Sequence, residues 1–147
     1  MIKIIQVNGT DKQLYELVAP LVMDPKVIQY NQNYPFKTGE QFVWFIALSD
    51  DEIIGFIPLE QRNQQWVINN YYVNPNQESK GFKVLLKAIS KFDRGKKRLT
   101  AIVQTNHKAY FSEQGFEITK EWKVYLKMEK KEKKQNENNT VRKKECL

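Results

Sequence analysis

A mixed α/β fold follows from three observations on this 147-residue chain. Short runs of β-forming apolar residues alternate with segments whose apolar residues recur at i, i+3, i+4 and i+7. Three strand-like runs in the middle are separated by turns short enough to require an antiparallel meander. Hydrophobic residues make up 41% of the chain, enough for a single packed core. Taken in order, residues 2–7 form a first strand. Thr10 is placed as a helix N-cap, with Gln13 at the capping-box position. Leu14, Leu17, Val18 and Leu21 then give one apolar helical face. Asp24-Pro25 starts a second helix, Asp as cap and Pro at the first helical position, carrying Val27, Ile28 and Tyr30. Residues 31–40, rich in Asn, Gln, Pro and Gly, form a loop.

Residues 42–48 and 52–59 form a hairpin about the turn Ser49-Asp50-Asp51. Pro58 puts part of its second strand at an edge or a ladder end. After a turn at Arg62–Gln65, a strand runs from Trp66 to Val73 and ends at Asn74-Pro75-Asn76-Gln77. A helix from about Ser79 to Phe92 carries Phe82, Leu85, Leu86 and Ile89 on one face, and Asp93-Arg94-Gly95 stops it. Leu99–Val103 suits a buried central strand. A short helix from about Asn106 to Gln114 ends at Gly115, and the stretch Phe116–Met128 is strand-rich, bent or broken near Lys120. The order is β-α-α-β-β-β-α-β-α-β, with the last strand open to splitting in two.

Lys and Arg total 24 against 17 Asp and Glu, a net +7. Residues 129–147 hold seven basic and four acidic side chains, so +3 of that charge lies there and +4 is spread over residues 1–128. Those last residues include only Val141, Cys146 and Leu147 as apolar side chains. They read as a disordered basic tail, with a helical extension through Lys134 as an option, that either solubilises the chain or tethers it to nucleic acid. No apolar run approaches the ~18–20 residues that span a bilayer. The opening Met1–Val7 is too short for a secretory signal, so a cytoplasmic location and no membrane contact are expected. The single Cys146 excludes an internal disulfide, and the single His107 excludes a His-rich metal site, so no metal is expected.

Several strings, in their order and spacing, resemble the GNAT N-acetyltransferase family over residues 1–128. Ala47-Leu48-Ser49-Asp50-Asp51-Glu52-Ile53-Ile54-Gly55-Phe56-Ile57 looks like its second and third strands. Val73-x-Pro75 looks like the end of its fourth strand, and Gly115-Phe116 follows the last helix as the family's pair does. The resemblance implies a central, mostly antiparallel sheet whose fourth and fifth strands splay, with acetyl-CoA in the gap. The backbone of Tyr71, Tyr72 and Val73 would then pair with the pantetheine arm. Glu78, Ser79, Lys80, Gly81, Phe82, Lys83 and Val84 would form the pyrophosphate cradle at a helix N-terminus. The family pattern Arg/Gln-x-x-Gly-x-Gly/Ala reads here as Glu78-x-x-Gly81-x-Lys83. Either Lys80 and Lys83 supply phosphate charge, or Gln77 takes the first position through a one-residue slip.

Acetylation needs a neutral amine and a proton for the departing thiolate. The place of the family's carboxylate base falls on Asn69-Asn70, which takes no proton. Glu60 is a nearby carboxylate in sequence, and His107 is another candidate base, read as a surface-helix residue. The family's proton-donating Tyr, four before Gly-Phe, falls on Phe111, which makes its neighbour Tyr110 the candidate acid. Asn106 and Gln104 compete for the place of a CoA-contacting Asn. The aromatics of residues 30–36 stand where the family walls its acceptor site. The implied activity is transfer of an acetyl group from acetyl-CoA to a primary amine, by a monomer or a homodimer. Two alternatives stay open: a catalytically degenerate CoA-binding or regulatory module, and a basic nucleic-acid-associated protein on the same fold.

Overall fold

The computed structural model describes residues 1–131. Its elements are β1 (Ile2–Asn8), α1 (Lys12–Val22), α2 (Pro25–Tyr30), β2 (Phe42–Ser49), β3 (Glu52–Arg62), β4 (Gln65–Ile68), β5 (Tyr72–Val73), α3 (Glu78–Lys91), β6 (Arg98–Gln104), α4 (Lys108–Glu113), β7 (Phe116–Glu121) and β8 (Tyr125–Lys130). Single 3₁₀ turns at Pro75–Gln77 and Thr105–His107 lead into α3 and α4. The strands form one sheet in the order β1-β2-β3-β4-β6-β8-β7, with β5 paired to β3. Every pairing is antiparallel except β4 with β6.

Local chemistry explains the boundaries. Asp11, not Thr10, caps α1, its Oδ1 accepting from Gln13 N at 2.8 Å. A carboxylate there satisfies a free N–H and also meets the positive end of the helix dipole. Asp24 caps α2 as the sequence suggests, accepting from Lys26 N at 2.9 Å, with Pro25 in the first turn. Asp50 and Asp51 both have positive φ (51° and 69°) between the paired Ser49 and Glu52. That is the two-residue hairpin geometry whose twist matches the flanking strands.

The sheet separates two apolar layers. On one face Trp44, Ile46 and Phe56 pack against Leu14 and Val18 of α1 and Val27 of α2. On the other, Phe45, Ala47 and Ile57 pack against Phe82, Leu85, Leu86 and Ile89 of α3, and Phe111 of α4. Alternation of side chains along β2 and β3 divides the two layers.

The expected continuous strand from Trp66 to Val73 is broken. Leu59 pairs with Ile68 and Phe56 with Tyr72, so three residues, Asn69 to Tyr71, stand opposite two, Ile57 and Pro58. This is a bulge, and Asn70 absorbs it with φ of 70°. Pro58 therefore sits where one ladder ends and the next begins, a place that needs no N–H from it. The last strand also breaks, after Glu121, where Trp122 N donates to Tyr125 O at 2.9 Å. β8 continues to Lys130, two residues past the expected end of the domain. Residues 132–147, which carry most of the expected tail, lie outside the described residues. Among those described, no helix is long and apolar enough to cross a membrane.

Candidate active site

The bulge opens the sheet. β4 and β6 are paired from Gln65 with Arg98 to Ile68 with Ala101. Beyond that point β5 stays with β3, while β6 continues to Gln104 beside β8. Asn74 N donates to Ile54 O at 2.7 Å. Backbone direction alternates along a strand, so the N–H and C=O of Val73 turn away from β3 and toward the opening. The N-terminus of α3 stands at its mouth. Gln77 makes no side-chain cap there, which leaves first-turn N–H groups for solvent or a ligand. A cavity of about 540 Å³ lies at this end, lined by Pro75 to Lys80 and by Tyr110.

Gly81 serves packing first. A Cβ at this position would come within 2.5 Å of Val73 Cγ1, so glycine lets α3 lie directly on β5. Phe82 is fully buried and stacks on Tyr110, with ring centroids 4.8 Å apart. Val84 is half-buried against the same core. Ser79 and Lys80 are exposed on the cavity, whereas Lys83 is exposed farther along the helix and does not line it.

Glu78, at the first position of the expected cradle, points inward. Its Oε2 accepts from the Tyr30 hydroxyl at 2.7 Å and lies 3.2 Å from His107 Nε2, while its Oε1 accepts from the Tyr110 hydroxyl at 3.1 Å. Tyr30 comes from α2 on the opposite face, so this contact threads the opening. Deeper in, the Tyr71 hydroxyl accepts from Gln104 N at 3.0 Å and lies 2.8 Å from His107 Nδ1. Hydrogen-bond complementarity assigns the His107 tautomer. Nε2 faces a carboxylate and carries the proton, and Nδ1 accepts from Tyr71. The chain therefore runs from Gln104 N–H through Tyr71 and His107 to Glu78.

Burial sets the protonation states. His107 is 1% exposed, and its pKa is lowered by burial against an opposing pull from Glu78, so the ring is neutral near pH 7. Burial holds Tyr30 well above its ordinary range, and the hydrogen bond to Glu78 adds to it. Burial raises Tyr71 likewise, with the Gln104 N–H pulling the other way. Tyr110 is raised by burial and by its bond to Glu78. All three phenols stay protonated at pH 7.

His107 is thus a buried residue rather than the surface one its helix suggested. The available sequence signal was its spacing, four before the buried Phe111 and so on the same helical face. Phe111, the residue that the family spacing puts at the donor position, is fully buried and has no hydroxyl to give. Asn106 is exposed in the turn before α4. Gln104 is buried, its amide donating to Tyr30 O at 2.9 Å and accepting from Gln32 at 3.0 Å. Glu60 pairs with Arg62 at 2.7 Å and stands opposite Val67, away from the opening. Asn69 and Asn70 line a second cavity on the α2 side. Among the described residues, no group of three or more His, Cys, Asp or Glu is placed to hold a metal.

Comparison with known proteins shows the family and the fold. Residues 12–116 match the model of the acetyltransferase (GNAT) family, and the chain belongs to that family of acetyltransferases. The fold is similar to that of Escherichia coli ElaA, with a TM-score of 0.69 at 15% identity over 89% of this chain and 100% of that one. It is also similar to the PaiA N-acetyltransferase of Thermoplasma acidophilum in complex with coenzyme A (TM-score 0.60, 17% identity, 90% of this chain and 99% of that one). A third similar structure is the Campylobacter jejuni N-acetyltransferase PseH in complex with acetyl coenzyme A (TM-score 0.56, 18% identity, 90% and 100%). No curated protein matches the sequence.

Proposed function

We propose that the protein transfers an acetyl group from acetyl-CoA to a primary amine at the opening between β5 and β6. The observation that carries this reading is the Glu78 carboxylate, held in that opening by donors from α2 and α4. It supplies the proton acceptor that Asn69 and Asn70 do not.

The outer half of the site fits acetyl-CoA. The uncapped first turn of α3, with Ser79 and Lys80 on the cavity, suits its phosphates, and Lys83 adds positive charge farther along the helix. Glu78 lines the same cavity, but its carboxylate is engaged by Tyr30, Tyr110 and His107, which offsets part of its charge toward them. The backbone of Tyr71, Tyr72 and Val73 flanks the path of the thioester arm. Gly81, Phe82 and Val84 keep α3 on β5, and Asn106 is assigned to the same ligand from its place in the turn before α4. When bound, acetyl-CoA supplies an acetyl group whose C–S bond gives way to a C–N bond; of the two protons the ammonium loses, one ends on the released thiol and one in solvent. Room for the arm requires Tyr30 and Glu78 to part, which frees a carboxylate lone pair to take the first proton. Tyr110, protonated at pH 7, is the donor for the thiol.

The spanned opening favours a second reading, a CoA-binding module without turnover. One experiment separates the two. Acetyl-CoA at millimolar concentration raises the melting temperature in both, but only the enzyme releases free thiol when primary amines are added. Absence of any thermal shift would sink both.

A further inference from the structure

The second cavity, of about 320 Å³, lies on the α2 side of the opening and is lined by the loop after α2 (Tyr34, Pro35, Lys37), by Asn69 and Asn70 of the bulge, and by Ile102 and Tyr125. Ile102 alternates with Ala101 and Val103, which pack toward α3, so this cavity and the α3 cavity lie on opposite faces of the sheet. If acetyl-CoA enters from the α3 side, as proposed above, the amine enters here. The volume suits a small molecule.

Three features define what this cavity would accept. Its lining holds no carboxylate, and Lys37 is its one charged side chain. Among the described residues, no carboxylate lies within ion-pair distance of Lys37. The Asn70 amide presents a donor rather than an acceptor. Asn31, itself 3% exposed, gives one Nδ2 hydrogen to Tyr34 O at 3.0 Å, and a backbone carbonyl only accepts. The Nδ2 end of Asn31 is therefore fixed, and it gives its other hydrogen to Asn70 Oδ1 at 3.0 Å. Asn70 must then turn its NH₂ group away from Asn31, with no protein acceptor for it among the described residues.

We propose that the acceptor is a small primary amine bearing an anionic group, a carboxylate or a phosphate, and that Lys37 selects it. A polyamine would bring a second positive charge into a cavity whose one charge is already positive. An anionic group instead meets Lys37 and the Asn70 N–H donors while its amine reaches the opening beside Tyr30. The proposal rests on the acetyltransferase reading and fails separately from it.

The test pairs two measurements on the full chain. Binding of acetyl-CoA is followed by thermal shift, which needs no acceptor. Thiol release is followed with matched primary amines in four forms: carboxylate-bearing, phosphate-bearing, the neutral amide of the carboxylate, and a diamine. The expected result is the highest kcat/KM on a carboxylate or phosphate form, falling about tenfold or more in Lys37→Glu with acetyl-CoA binding unchanged, the size of one lost charged hydrogen bond. The two anionic arms show which group is recognised. A thermal shift with the best turnover on the neutral or diamine form, with no turnover of any anionic form, or with turnover that Lys37→Glu leaves unchanged, overturns the proposal alone. No thermal shift overturns the acetyltransferase reading beneath it.

Discussion

The Tyr30 hydroxyl donates to Glu78 Oε2 across 2.7 Å, joining two helices that lie on opposite faces of the sheet. Such a contact exists only because the strands part beneath it. It ties α2 to α3 and, on the proposed acetyltransferase reading, occupies the space through which the thioester arm would pass. Tyr30→Phe therefore has two opposite effects. The fold loses about 1–2 kcal/mol, the worth of a hydrogen bond to a charged group partly open to solvent. Acetyl-CoA binds about tenfold more tightly, because ~1.4 kcal/mol no longer has to be spent separating the pair. Calorimetric titration and melting temperature read the two separately, and equal or weaker cofactor binding in the variant would show that the contact does not stand in the way.

Glu78→Gln keeps the shape but replaces one acceptor oxygen with a donor in a place where Tyr30, Tyr110 and His107 all donate. The expected loss of turnover is ~100-fold, the usual range for a removed proton acceptor. Steady-state thiol release measures it. A variant with undiminished kcat takes Glu78 out of the chemistry.

Tyr110→Phe retains the stack on Phe82 and removes only the hydroxyl. Turnover should drop ~100-fold with acetyl-CoA affinity little changed. Equal losses in both would mark Tyr110 as a binding residue instead.

His107 makes stability pH-dependent. Glu78, Tyr30, Tyr71 and Tyr110 surround it, and burial keeps its native pKa below the ordinary value of about 6.5. As pH falls below that value the unfolded chain binds a proton that the native ring resists. Stability therefore falls as pH drops from about 6.5 through the lower native pKa, and rises again on return. Melting curves of the native chain between pH 7.5 and 5 (a range set by the ordinary histidine value of about 6.5) should show this slope. In His107→Gln the slope should shrink, even if the variant melts lower throughout.

Gly81→Ala places a methyl against Val73. Overpacking of this kind costs about 1–3 kcal/mol. Val73→Ala in the same chain should recover part of it, and a double-mutant cycle in urea gives the coupling. Additive effects would mean that the helix and strand do not meet as closely as described.

Much of the fold was legible in the residues because its signals are local. The helical face of Leu14, Leu17, Val18 and Leu21, the Asp24-Pro25 start, the Asp50-Asp51 turn and the split of the last strand each depend on a few neighbouring side chains. The N-cap moved by one residue, from Thr10 to Asp11: both are cap-forming types, and the carboxylate is the better acceptor and also meets the positive end of the helix dipole. Pro58 hinted at a ladder end, but the bulge opposite it was not foreseen, since a bulge is a mismatch between two strands and belongs to neither.

The site divides the same way. The sequence alone placed a helix start after a strand ending in Val73-x-Pro75, with Glu78 to Val84 as the expected cradle; of that run, Glu78, Ser79 and Lys80 line the α3 cavity. Only the tertiary structure decided where the Glu78 charge goes. A carboxylate at a helix N-terminus faces solvent or a phosphate unless stronger donors reach it. Here Tyr30, His107 and Tyr110, distant in sequence from Glu78, reach it through a break in the sheet. Local pattern fixes an element and its exposed or buried face; the partner of a buried polar group depends on chain segments that meet only when the whole is folded.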